Sequence, residues 1–431
     1  MASNYPSSLD SFDTIASDKK TSDSVGGRTH RDMHNDLGDA IEAVQSELGT
    51  NPSGSDATVA ARLTAIEAGT NLATGDLGPI KSPLRSMAAA NEAPWREALR
   101  RVRRGGKARV VCVGTSNTFG WGTADPHTVN YPALMARNLE GLLGVRVGWG
   151  LELTNKFTID TGDSTPWTRP WFTLGDWNMA GTGYTFDTGT VEGEPGQADG
   201  PTFTYDVRDG FAFLYVDRTA GRTFQYKVDG GAATTVTTTG TNQILEQVVP
   251  VGSPGVHTLS FHNPVNGTAI LYAVGEYVDS GIEVCNWGIP GLETWMLWHN
   301  MPPQWFGSLF ALAGADPDLI LIEAGVNDTD AAAVFTGYIT DVVTWLQANT
   351  SATIVLIESY GTNGPTFAPA ARAVAESLDI HSLSWLDVMQ GDRDPWRASE
   401  EDPSHMSREG YEVLAQGMTR YALGDYPLKP F

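Results

Sequence analysis

The sequence predicts an α/β fold: a doubly wound parallel sheet with an antiparallel β-sandwich inserted into it and a helical, coiled-coil-like segment in front. Three observations predict it. Val110-Val111-Cys112-Val113-Gly114 is an unbroken apolar run that stops at small and polar residues, the mark of a strand buried on both faces. From Ile282 onward, runs of this kind alternate with helical stretches, which implies parallel strands joined by helices. Between about 147 and 278 the pattern changes to short Thr-, Val-, Tyr- and Phe-rich runs broken by Gly, Asp and Pro. That spacing belongs to antiparallel strands.

At 431 residues the chain is too long for one ordinary domain, and two or three are expected. The 41% hydrophobic content and 13 tryptophans suffice for a packed core. A formal net charge of -23 argues against nucleic acid as a partner, since phosphate binding needs clustered Lys and Arg. Cys112 and Cys285 make no disulfide framework. Both fall in expected core strands, where buried free thiols are favoured and a bridge is open if the strands are neighbours. No run is apolar enough to span a bilayer. Residues 1–30 lack the basic-then-apolar pattern of a secretory signal, so no cleaved leader is expected.

In chain order, residues 1–70 read as a polar arm followed by amphipathic helices. Leu37, Ile41, Val44 and Leu48 recur at spacings of four, three and four within a helix over 29–48, a coiled-coil seam. Val59, Leu63 and Ile66 continue it on a second short helix. Such helices are marginal alone, so self-association is expected, with three copies as one arrangement. Residues 71–94 form a linker rich in Ala, Gly, Pro, Asn and Ser. Arg96 to Arg104 is a basic patch, read as the solvated face of a helix. The parallel domain is expected over 95–146 and 282–431, with a helix at 131–143. The sandwich insert is expected over 147–281. After it come strands at 282–285, 319–323, 353–358 and 382–387, and helices at 292–298, 331–346, 368–378 and 407–421.

Four short motifs fall at or after strand ends: Gly114-Thr115-Ser116, Asn286-Trp287-Gly288-Ile289-Pro290-Gly291, Gly325-Val326-Asn327-Asp328, and Asp402-Pro403-Ser404-His405 in the loop before the last helix. Each alone is weak. Their shared position at the carboxyl ends of strands, where open α/β sheets bind ligands, is far more specific. A serine hydroxyl needs a base to become nucleophilic. His405 can be that base, and Asp402 can hold its other ring nitrogen. The Ser116 and Gly288 backbone amides and the Asn327 side chain can then converge on an oxyanion, if the first strand lies between the second and third. A glycine at 288 leaves room for substrate. The histidines form no spaced ligand set, so neither a metal nor another cofactor is expected.

At these four blocks the chain resembles the SGNH (GDSL-like) hydrolases. The resemblance covers about residues 107–146 and 282–422. It implies a flavodoxin-like sheet order and an esterase or deacylase activity without metal. It also implies Ser116, Asp402 and His405 as the triad, and Gly288 and Asn327 as oxyanion donors beside the Ser116 amide. Thr115 stands where that family usually has aspartate, and Glu323 lies two residues before the third-block glycine. The serine is outside any Gly-x-Ser-x-Gly elbow, which argues against an α/β-hydrolase fold.

Thr29 to Leu37 together with Glu47 to Gly54 resembles the start of minor tail proteins of actinobacterial phages. That likeness implies a place in a virion tail, other tail proteins as partners, and an acylated glycan or lipid of the host envelope as substrate. Trp121, Trp295 and Trp298 follow the first two motifs and are candidates for the acyl pocket or for core packing. Trp167, Trp171, Phe172 and Trp177 fit a saccharide platform or a seam between domains equally well. Turnover is expected to fall as pH drops through roughly 6 to 7, where imidazoles ordinarily become charged. A receptor-binding or structural tail protein without turnover is the competing reading. A secreted bacterial esterase is a further one.

Overall fold

The computed structural model describes residues 24–25, 28–29, 89–123, 128–153, 172–173, 178–180, 190–217, 219–241, 243–267, 269–300, 317–358, 363–389, 394–399 and 402–424. The chain divides into two units, Met1–Ser82 and Pro83–Phe431. In the first, Ser24–Val25 pairs antiparallel with Arg28–Thr29. Thr29 is strand, and the rest of the helices expected over 29–48 and 59–66 and most of the linker lie outside the described residues. So do Trp167, Trp171, Trp177 and the side chain of Phe172.

The second unit begins with α1 (Ala89–Arg103), β1 (Lys107–Gly114), α2 (Ser116–Phe119), α3 (Tyr131–Leu143) and β2 (Val147–Leu153). Local chemistry sets these boundaries. The Asn130 side chain accepts the Ala133 amide at 2.7 Å to cap α3, and Gly144 ends it in the left-handed region at φ 63°. Within the basic patch Arg96 pairs with Glu92, Arg100 and Arg104 with Glu97, and Arg101 with Asp318. There follow the short strands β3 (Phe172–Thr173), β4 (Asn178–Ala180) and β5 (Thr190–Gly193). Next are β6 (Asp199–Val207), β7 (Gly210–Asp217), β8 (Thr223–Val228), β9 (Thr234–Thr237), β10 (Gln243–Pro250), β11 (Gly255–Val265) and β12 (Ala269–Tyr277). The α/β rhythm resumes with β13 (Gly281–Gly288), α4 (Thr294–Asn300), β14 (Leu319–Ala324), α5 (Ala332–Asn349), β15 (Thr353–Glu358), α6 (Gly364–Ser377), β16 (His381–Ser384) and α7 (Trp385–Val388). A ribbon of β17 (Arg397–Ser399) and β18 (Asp402–Met406) precedes α8 (Arg408–Leu423).

The large sheet runs β10-β7-β12-β2-β13-β1-β14-β15-β16. Its strands from β2 to β16 are parallel. β1 lies between β13 and β14, the position at which the strand order reverses and a crevice opens. The continuous apolar run of β1 serves two layers. Val111 and Val113 enter one core with α5 and α6, while Val110 and Cys112 enter the other with α1, α3 and α8. Each such valine, fully buried, contributes roughly 1.5–3 kcal/mol. Cys112 and Cys285 sit on neighbouring strands in opposite cores, and both are free thiols. That removes the bridge as an option.

The antiparallel region differs from a free-standing insert. β12 pairs with β2, and β7 and β10 follow it, so these strands extend the central sheet. Ala212, Leu214 and Val216 of β7 belong to the same core as β1, while Phe211, Phe213 and Tyr215 face a second sheet. That sheet runs β9-β8-β11-β6-β3. The two sheets share this apolar cluster, and one of them is the edge of the parallel sheet. β2, placed in the insert by sequence, pairs parallel with β13 and antiparallel with β12. Two local expectations are also corrected. Residues 385–388 form a helical turn that buries Trp385 completely rather than strand, and 402–406 is a paired strand rather than loop.

Candidate active site

Ser116 opens the one-turn helix α2 at the carboxyl end of β1. Thr115 caps the helix in an extended conformation and accepts the Asn117 amide on its hydroxyl at 3.4 Å. Gly120 stops it at φ 101°, a left-handed position that suits glycine. Ser116 is buried at 4% exposure. Its amide has no acceptor among the described residues. The turn is fixed from outside as well: Asn286 of β13 donates its Nδ2 to the Thr118 carbonyl at 2.8 Å.

The β17–β18 ribbon presents His405. Its Nε2 lies 2.8 Å from Ser116 Oγ, across 289 residues of sequence. The ribbon is anchored where the Ser407 amide donates to the Trp396 carbonyl and Met406 is buried in the core with α8. Gly122 lies against the histidine. A Cβ on it would sit 3.1 Å from His405 Cβ, and its own φ is 89°. The Trp121 ring stands 6.1 Å from the imidazole, and the Tyr411 hydroxyl donates to the Trp121 carbonyl at 2.8 Å. Asp402 starts the same strand, three residues before His405; its side chain lies outside the described residues.

The second and third motifs meet at this rim, with one change to the expected donors. The Gly288 amide donates to its neighbour Asn286 Oδ1 at 3.0 Å, so it is engaged within β13. The missing side chain at 288 serves packing rather than substrate access, since a Cβ there would lie 2.2 Å from the Phe119 amide nitrogen of α2. Three residues on, Gly291 turns at φ 76° and is half-buried. Its amide has no acceptor among the described residues. Asn327 donates one Nδ2 hydrogen to the Leu292 carbonyl at 3.1 Å; its amide carries a second. Asp328 ties the two motifs together by accepting the Thr294 amide, the Thr294 hydroxyl and the Gly325 amide. Its burial pushes the carboxyl above the usual range.

Of the other predicted residues, Trp298 packs against the core shared by α4 and α5, and Trp295 meets His299 edge-on at 5.7 Å. Of the three tryptophans, Trp121 is the one whose ring stands beside His405. The sequence reading gave Glu323 no role in the site, yet this residue, next to last in β14, faces α2. It accepts Thr115 N at 3.0 Å, Thr115 Oγ1 at 2.9 Å, Asn117 Nδ2 at 3.3 Å, Thr118 N at 3.1 Å and Thr118 Oγ1 at 2.6 Å. Burial pushes its carboxyl up, against these donors, which pull it down. A signal was present: a carboxylate inside an otherwise apolar strand, Leu-Ile-Leu-Ile-Glu-Ala, is costly unless paired.

Residues 269–413 match the family model of the GDSL-like Lipase/Acylhydrolase family. The match holds the second, third and fourth motifs, and the fold brings Ser116 to them from outside it. No curated protein matches the chain by sequence. Among solved structures, a family two carbohydrate esterase from Cellvibrio japonicus is similar at 13% identity and TM-score 0.28, over 59% of this chain and 96% of that one. A lipase/acylhydrolase from Enterococcus faecalis is similar at 19% identity and TM-score 0.27, over 35% and 81%. A two-domain esterase active on acetylated mannans is similar at 10% identity and TM-score 0.39, over 79% and 56%. On its family match the chain carries a GDSL-like (SGNH) acylhydrolase domain and is an ester hydrolase of that type.

Proposed function

We propose that this chain is a serine esterase of a phage tail that removes acyl groups from glycans or lipids of the host envelope. The observation that carries the chemistry is the 2.8 Å approach of His405 Nε2 to Ser116 Oγ. In this reading Nε2 takes the hydroxyl proton as Oγ attacks the ester carbonyl, and returns it to the leaving alcohol. Water, activated by the same nitrogen, then releases the acid from the acyl-enzyme. Asp402 holds the second ring nitrogen. The Ser116 amide, the second Asn327 hydrogen and the Gly291 amide receive the oxyanion, with Gly291 replacing Gly288 because the latter amide is already bonded.

Trp121 beside His405 offers a flat ring on which a sugar face can stack, which favours an acylated glycan. The two-layer β region is assigned a supporting grip on the same surface. The N-terminal likeness to minor tail proteins assigns residues 1–70 to attachment, with copies joined there, three being the arrangement favoured.

The test is hydrolysis of a short-chain aryl ester by the full chain and by Ser116→Ala. Turnover is expected to disappear in the variant while its melting curve stays that of the parent. Undiminished turnover would reject the mechanism. A folded parent that hydrolyses no member of a panel from acetylated polysaccharide to long-chain lipid would return the chain to a binding role.

A further inference from the structure

Glu323 is one carboxyl with five polar hydrogens aimed at it, and every one comes from the turn that bears the serine. Thr115, Asn117 and Thr118 all donate to it. Ser116 is skipped. The amides of Thr115 and Thr118 point into the carboxyl, and the Asn117 amide goes to Thr115 Oγ1. The Ser116 amide is thereby the one of four in succession left to face outward, next to an Oγ that reaches His405. A cap made only for stability has no reason to gather its donors around one residue and spare that residue.

We propose that Glu323 is the positioning residue of the nucleophile: from the neighbouring strand it fixes the 115–118 turn so that the Ser116 hydroxyl and amide both face the ester. The proposal rests on Ser116 being the nucleophile. It also explains Gly114, where a Cβ would lie 2.1 Å from Thr118 Oγ1 and 2.6 Å from Glu323 Oε2; any side chain there would displace the carboxyl from the turn. A carboxyl supplies about four acceptor sites and is the one side chain able to satisfy such a donor set. Glu323 reaches neither substrate nor imidazole in this arrangement and acts through the backbone of the turn.

Acceptor geometry, more than charge, is the expected requirement. In Glu323→Gln the amide oxygen still receives the two backbone amides. Its NH₂ can donate to Thr115 Oγ1 and, after a flip, to Asn117 Oδ1, a buried atom with no partner among the described residues. Glu323→Asp keeps the charge but withdraws it by one methylene, drawing the turn after it. Glu323→Leu leaves the buried Thr115 and Thr118 amides without acceptors.

The experiment compares the full chain with these three variants. It reads kcat and KM on a short-chain aryl ester, melting, and the rate at which a fluorophosphonate phosphonylates Ser116 with loss of fluoride. Displacements near 1 Å cost on the order of 100-fold in rate. Labelling and kcat are therefore expected to fall together, about 100-fold in Leu and about 10-fold in Asp, but within about 3-fold in Gln, with KM changed by less than about 3-fold. Parent-like labelling per folded molecule in Asp or Leu would overturn the proposal, as would a Gln variant slower than Asp. If Leu does not fold, the Asp–Gln ordering decides. A parent chain that neither turns over ester nor takes the label overturns the nucleophile reading and this one together. A reactive parent with equally reactive variants overturns only the positioning role.

Discussion

Ser116 and His405 meet because each sits on a short, externally braced element. Ser116 is on a helix of four residues held by β13 and β14, and His405 is on a ribbon pinned by Met406 and Ser407. Precision of this kind is lost when a neighbour moves by a few tenths of an ångström. Gly288 is the sharpest case. Adding a methyl group there meets the Phe119 backbone at 2.2 Å, where no flexible side chain can give way. Gly288→Ala is expected to lose roughly 1–3 kcal/mol of stability and to lower kcat by displacing α2, as chemical denaturation and ester turnover would measure. A variant with parent stability and turnover would mean that α2 is not packed on β13 as described.

Among the elements, α3 and α5 carry glycines with no such duty. Gly141 and Gly337 have nothing within 4 Å of an added Cβ, and neither is in the left-handed region. Within a helix glycine costs about 0.5–1 kcal/mol relative to alanine. Gly141→Ala and Gly337→Ala are expected to raise stability by about that amount each, additively since they lie on different helices, and to leave ester turnover unchanged. Melting of the single and double variants checks this. The same elements show what local pattern encodes. The limits of α3 and β15 match those expected from apolar period and turn residues alone. The Asp402–His405 motif and residues 385–387 were misassigned. Ribbon pairing and the burial of Trp385 are tertiary events that a five-residue window does not contain.

Over the whole second unit, the parallel sheet and the antiparallel strands share one ladder, joined where β2 meets β12. Glu276 lies at this junction, accepting the Trp149 and Arg208 amides at 3.2 Å each, with Arg208 in turn paired to Glu140 of α3. Burial pushes its carboxyl up to about 7. A raised native pKa means the folded state favours the neutral acid, so its contribution is complete below about pH 4.5 and is lost as pH rises through about 7. From 4.5 to about 7 the change amounts to about 3 kcal/mol. Glu276→Gln stays neutral throughout. Its stability relative to the parent is expected to rise by about that amount between pH 4.5 and 8, measured by urea titration at several pH values. A pH-independent difference would place the ionised carboxylate in solvent rather than in the junction.

The sequence by itself determined the layers and the four motifs. Strands buried on both faces must be apolar throughout, helices must show their period, and the serine and asparagine blocks stand at strand ends whatever the strands later pair with. Only the tertiary structure decided which amide at 288–291 is already bonded, that Glu323 holds the serine turn, and that the antiparallel strands extend the parallel sheet. Those choices are made by backbone hydrogen bonds between distant segments. Every residue but proline carries the same backbone donor and acceptor, so side-chain pattern records that a strand will pair and leaves its partner to the fold.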